Sequence, residues 1–112
     1  MKGSYIGELE ELVLLAVGIL YPDAYGVGVL DEIEKQAERS LNISAVHAVL
    51  TRLEEKGMLK SSMSKPTDER GGRRKRIFTM TAAGKRALAD AQDLRTQMFN
   101  QIPKIALQVV GI

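Results

Sequence analysis

Asn42-Ile43-Ser44-Ala45-Val46-His47-Ala48-Val49-Leu50-Thr51-Arg52-Leu53-Glu54-Glu55-Lys56-Gly57, together with the arginine-rich stretch that runs on to Arg76, decides how this chain folds. Val46, Leu50 and Leu53 fall on one side of a helix over Ile43–Lys56, spaced four and three residues apart. The opposite side carries Ser44, Ala45, Ala48, Thr51, Arg52 and Glu55. A helix that sits deep in a DNA groove needs such a face, because small residues let the backbone approach and a few polar groups reach base edges. An ordinary amphipathic helix with a solvated outer face has the same pattern, so this helix alone does not choose between the two. Asn42 suits its N-cap, where a side-chain oxygen accepts an orphan backbone N–H. Gly57 suits its C-terminal end.

Working outward, the preceding helix spans about Gly26–Glu38, with Val27, Leu30, Ile33 and Ala37 as the expected inner stripe. Only Arg39 to Leu41 separate the two, and two helices joined by a tight turn describe a helix-turn-helix. Asp31, Glu32, Glu34 and Glu38 are expected to form a solvated face, since a hard-cation site needs several oxygens converging on one point. Further upstream, Ile6, Leu9, Leu12, Val13, Ala16, Ile19 and Leu20 mark a first helix over about Gly7–Leu20. Its early glutamates suit the positive end of the helix dipole. Tyr21-Pro22-Asp23 stops it, because a residue before proline is pushed out of the α region.

On the other side, Leu59–Ser64 and Lys75–Met80 read as two strands. Lys65 to Arg74 between them hold a proline and paired glycines, so they form a turn-rich hairpin tip, a wing. Lys65, Arg70, Arg73, Arg74, Lys75 and Arg76 crowd into this short segment, while the first third of the chain is acidic. The net charge of the 112 residues is only +2, so distribution rather than total points to a polyanionic partner. Guanidiniums on a protruding hairpin match phosphate oxygens bidentately. A basic loop that stays solvated is the alternative.

Thr81 caps a last long helix, Ala82 to about Ile102. Gly84, Ala87, Ala91, Leu94, Met98 and Ile102 recur along it at three- and four-residue steps, a seam close to coiled-coil period. A chain this small has no second layer on which to bury so long an arm, which predicts a symmetric dimer. Packing across the first helix of the same chain is the other use of the seam, and the two can share the arm between them. Pro103 ends or kinks it, and Ile105, Leu107, Val109, Val110 and Ile112 leave an apolar tail that either covers the seam or binds something apolar.

The composition narrows the function further. With 45% hydrophobic and 27% charged residues the chain is globular rather than disordered. It has no cysteine, hence no disulfide framework, thiolate metal site or cysteine nucleophile. The longest apolar run, Leu12 to Tyr21, is too short to span a bilayer and its acidic flank is wrong for a signal peptide. A soluble, cytoplasmic protein without membrane contact is expected. His47 is the single histidine, so no triad, zinc cluster or histidine pair can be assembled. It lies at the edge of the buried stripe, either partly packed or touching phosphate. Gly26-Val27-Gly28 lacks the spacing of a phosphate-cradling loop. No catalytic residue, metal or cofactor is assigned, and an enzyme is not expected.

These segments together resemble the PadR-like winged-helix transcriptional regulators. Ile6-Gly7-Glu8-Leu9-Glu10-Glu11-Leu12-Val13-Leu14-Leu15 is similar to the family's opening helix, and Ala24-Tyr25-Gly26-Val27 to its signature at the start of the second. Ser44 to Gly57 resembles the recognition helix. Arg70-Gly71-Gly72-Arg73-Arg74-Lys75-Arg76-Ile77-Phe78 with Thr79-Met80-Thr81-Ala82-Ala83-Gly84 resembles the wing and the start of the dimerising helix. The family usually has tyrosine where this chain has His47, and commonly an aromatic where it has Ile77.

The resemblance implies a mainly α fold with a small β-hairpin: a winged helix-turn-helix DNA-binding domain over residues 1–80, then a C-terminal dimerisation helix and tail over 81–112. It implies a homodimeric repressor that binds a two-fold symmetric duplex operator and releases it when a small-molecule effector binds. DNA contact maps onto Ser44, Ala45, His47, Ala48, Thr51 and Arg52 of the recognition helix and onto Arg70, Arg73, Arg74 and Lys75 of the wing. Dimer contact falls on Ala87, Ala91, Leu94, Met98 and Ile102. Some relatives hold flat aromatic drugs between tryptophans; this chain has no tryptophan, so that site is not carried over. The alternative is a winged-helix protein-interaction module without a DNA partner, favoured by the acidic second helix and the apolar tail.

Overall fold

Two side-chain caps place the main elements. Asn42 Oδ1 accepts the Ser44 N–H at 2.7 Å and starts one helix, and Thr81 Oγ1 accepts the Gly84 N–H at 3.1 Å and starts another. The computed structural model describes residues 5–65 and 74–108. In chain order these form α1 (Glu8–Leu20), α2 (Gly26–Ala37), α3 (Ile43–Glu55), β1 (Leu59–Met63), β2 (Arg76–Met80), α4 (Ala82–Phe99) and the single turn α5 (Lys104–Leu107). The strands pair antiparallel, with Leu59 opposite Met80, Ser61 opposite Phe78 and Met63 opposite Arg76. Gly57 takes a left-handed φ of 79° between α3 and β1, a conformation that costs glycine nothing.

The core lies where α1, α2 and α3 meet the base of the hairpin. Val13, Leu14 and Val17 of α1 are fully buried with Val29 of α2, Val46, Val49, Leu50 and Leu53 of α3, and Leu59 of β1. Phe78 of β2 and Ala87 of α4 close it. The Phe78 N–H also donates to the carbonyl of Ala24 at 2.8 Å, so the segment before α2 lies beside the hairpin. This bond fixes the start of α2 against the root of the wing.

The inner face of α2 differs from the sequence expectation. Val29 and Ile33 are buried with Gly26, whereas Val27 is 56% exposed and Ala37 is exposed. At about 100° per residue, Val27 stands on the far side of the helix from Val29. Gly26 sets this rotation, because a Cβ there would meet His47 Cε1 at 2.5 Å. The single close contact of Gly26, not the bulkiest apolar row, brings the start of α2 onto α3. The acidic face of α2 is also only partly solvated: Glu34 accepts the Leu41 N–H at 2.9 Å and holds the turn between α2 and α3.

The arm α4 divides along its length. Gly84 and Ala87 are buried in the chain's own core, Leu88 and Ala91 are half-buried, and every residue from Gln92 to Phe99 is exposed. Gly84 lies so close to the backbone just before β1 that a Cβ would collide with the Met58 carbonyl oxygen. Ala87, expected in a seam between two chains, is therefore used up inside one.

Candidate nucleic-acid interface

The outer face of α3 exposes Ser44, His47, Ala48, Thr51 and Arg52, with Ala45 half-buried at its margin. Ser44, His47, Ala48, Thr51, Arg52 and Glu55 line a shallow concavity along it. The face is narrow because its central positions carry a methyl, a hydroxyl and an imidazole. His47 points outward and leans on Gly26, so it is not a core residue.

Beside this face opens a cleft of about 940 Å³, walled by Tyr25, Gly26 and Val27 at the start of α2, His47 and Thr51 of α3, and Lys75, Arg76 and Phe78 at the root of the wing. Lys75 Nζ lies 4.1 Å from the centre of the Tyr25 ring, a cation–π contact that holds the lysine at the cleft's rim. No side chain caps α2, so its first N–H groups stand at the cleft without a capping partner. Arg76 reaches Glu54 of α3 at 3.7 Å and Ser61 of β1, which ties the wing's root to the end of α3. Arg74 and Lys75 are exposed at the base of the wing; Arg70 and Arg73 lie outside the described residues.

Arg52 is held from behind. Its Nε donates to Glu10 Oε2 at 3.2 Å, and Lys56 Nζ donates to the same carboxylate at 2.8 and 3.0 Å. The Gly7 N–H fills the remaining position on Oε1 at 2.8 Å. Glu10 itself is buried. Burial pushes its carboxyl up, but the hydrogen bonds from Lys56, the Gly7 backbone and Arg52 outweigh this and hold it below the usual carboxylate range. The sequence reading treated Glu10 as one of several first-turn glutamates and missed its pairing, which joins residues 42 and 46 positions apart. Tyr25 and Val27 of the cleft also escaped it, since nothing in local spacing places α2 beside the wing.

Taken together, a helix-turn-helix whose second helix keeps a thin polar outer face, followed by a two-stranded hairpin, defines a winged helix-turn-helix protein. Residues 10–90 match the description "Transcriptional regulator PadR-like family", and the chain belongs to that family. The fold is similar to a PadR-like transcription factor from Bacteroides fragilis, at 18% identity over 87% of this chain and 88% of that one, with a TM-score of 0.69. It is similar to RosR of H. salinarum, at 19% identity over 88% of this chain and 82% of that one, with a TM-score of 0.68. Bacillus subtilis PadR, solved in complex with operator DNA, shares 18% identity over 75% of this chain and 46% of its own, with a TM-score of 0.60. Among curated proteins no match is found. No helix among the described residues is long and apolar enough to cross a membrane.

Proposed function

We propose that this chain is a dimeric, sequence-specific DNA-binding regulator that represses transcription until an effector releases it. The observation that carries this reading is the exposed outer face of α3 standing beside the basic root of the wing, with the cleft between them. Ser44, Ala45, His47, Ala48, Thr51 and Arg52 approach the major groove, where short polar side chains read base edges. Arg70, Arg73, Arg74 and Lys75 grip flanking phosphates, positioning the protein without reading sequence. A phosphate at the open start of α2 would meet uncapped N–H groups and the positive end of the dipole. That the Bacillus subtilis relative was solved on operator DNA supports the same partner here.

In this reading residues 1–80 bind DNA and residues 81–112 join two copies. Leu94, Met98 and Ile102 form the seam, with Ala91 at its inner edge. Two copies then set two recognition helices into successive major grooves, with half-sites about 10 bp apart or a multiple of that.

Selection from a random duplex pool tests the reading. An enriched sequence with two-fold symmetry is the expected result, and a pool that stays unselected sinks it. On the selected duplex, the Arg73→Ala/Arg74→Ala variant should flatten the log–log salt slope by about two units per bound chain, hence about four for the dimer, close to one per lost phosphate contact. An unchanged slope takes the wing off the DNA.

A further inference from the structure

We propose that Glu10 is a positioning residue for DNA recognition: from the first turn of α1 it grips Arg52 by Nε and turns the guanidinium fork toward the duplex. The inference rests on the DNA-binding reading above and adds to it a residue on a helix that never enters the groove.

Glu10 is the one buried charged side chain among the described residues, 6% exposed. Both of its oxygens are saturated by Arg52, Lys56 and the Gly7 N–H. Only the carboxylate is sunk; both cations stay part-exposed, so the pairing ties α1 to α3 without closing the guanidinium off from a further partner. Its geometry suggests another use. The bond takes Nε and leaves the two Nη groups of Arg52, the pair that meets a phosphate or a guanine edge bidentately. The Arg52 side chain is 53% exposed and lines the concavity on the outer face of α3. An arginine held at its root and open at its tip has already lost much of the rotamer freedom that binding would otherwise remove.

Lys56 completes the arrangement. One carboxylate facing one arginine would cancel the charge that DNA needs to meet. With Lys56 Nζ at 2.8 Å on the same carboxylate, two cations share one anion, so Glu10 does not neutralise both of them. A lysine at position 52 could not do the same work, because a single ammonium serves either Glu10 or the duplex.

The test uses the full chain and the selected duplex, with dissociation constants from fluorescence anisotropy at one salt concentration. Wild type, Glu10→Gln, Arg52→Ala and the double variant form a cycle. Glu10→Gln should weaken binding about three- to tenfold in the wild-type background, the range set by ordering one long side chain. In the Arg52→Ala background it should have no effect. An equal loss in both backgrounds makes Glu10 a structural tie only, and no loss in the wild-type background overturns the proposal outright. Arg52→Lys, an exposed change that leaves the core intact, should bind nearly as weakly as Arg52→Ala; wild-type binding by that variant also overturns it. A wild-type protein with no affinity for any duplex removes the functional reading itself, an outcome distinct from all of these.

Discussion

The two halves of α4 carry one continuous small-and-apolar pattern and meet opposite fates. From Gly84 to Ala91 the helix presses on its own domain, and from Gln92 to Phe99 it stands in solvent with Leu94 52% and Met98 60% exposed. Periodicity fixes which side of a helix is apolar but not which surface that side meets. The difference lies in residue size. Gly84 and Ala87 let the backbone of α4 approach its own core, while the larger Leu94 and Met98 stay mostly exposed beside Tyr5 and Ile6 and keep that area for another partner. The sharpest way to break this division is Gly84→Ala. Its new methyl would strike the backbone oxygen of Met58, which no rotamer change relieves. Destabilisation of about 3 kcal/mol is expected, as for overpacking a well-filled site. That lowers the melting temperature by roughly 15 °C in a chain of this size. A melt within a few degrees of wild type would mean that the first half of the arm is not docked on its domain.

The outer half should respond in the opposite sense. Leu94→Glu/Met98→Glu places two carboxylates per chain in the proposed dimer seam, beside Ile102. Because both positions are exposed within one chain, the fold of the single chain should change by under about 0.5 kcal/mol. The dimer should weaken about a hundredfold, roughly 2.7 kcal/mol, which light scattering after gel filtration reads as a shift to the single-chain mass. A variant that stays dimeric moves the seam elsewhere on the molecule. The apolar groove between α1 and α2, lined by Leu12, Leu15, Ala16, Ile19 and Ile33, is the next surface to examine.

The same distinction explains what was legible in the sequence. Caps, stops and strands were, because each depends on near neighbours: Asn42 on Ser44 and Thr81 on Gly84; the hairpin tip itself lies outside the described residues. The exposed face of α3 was legible for the same reason, since Val46, Leu50 and Leu53 fix its opposite. Contacts between elements were not. Val27 looked like the inner residue of α2 until the close approach of Gly26 to His47 turned the helix and buried Val29 instead. Ala87 looked like dimer seam, but the core of its own chain buries it. Glu10 looked like any first-turn glutamate, and only folding brings Arg52 and Lys56 to it. Arg70 and Arg73, prominent in the sequence, lie outside the described residues, and the role of Arg73 rests on the salt-slope experiment.

The smallest effect falls at the border between the halves. Arg95 Nη1 lies 2.7 Å from Glu11 Oε1 of α1, with the arginine 57% and the glutamate 15% exposed. Among the described residues this is the outermost ion pair between the arm and its own domain, one turn beyond Ala91. Arg95→Met keeps the aliphatic stem and removes the charge. A pair with its arginine in solvent contributes about 1 kcal/mol, so a fall of a few degrees at most is expected in the melt. High salt should bring variant and wild type together, because screening weakens what the substitution removes. A fall as large as that of Gly84→Ala would mean that charge, not the close packing of the first half, docks the arm. The division drawn from residue size would then be wrong, and Arg95 would mark where the arm is held rather than where the domain lets it go.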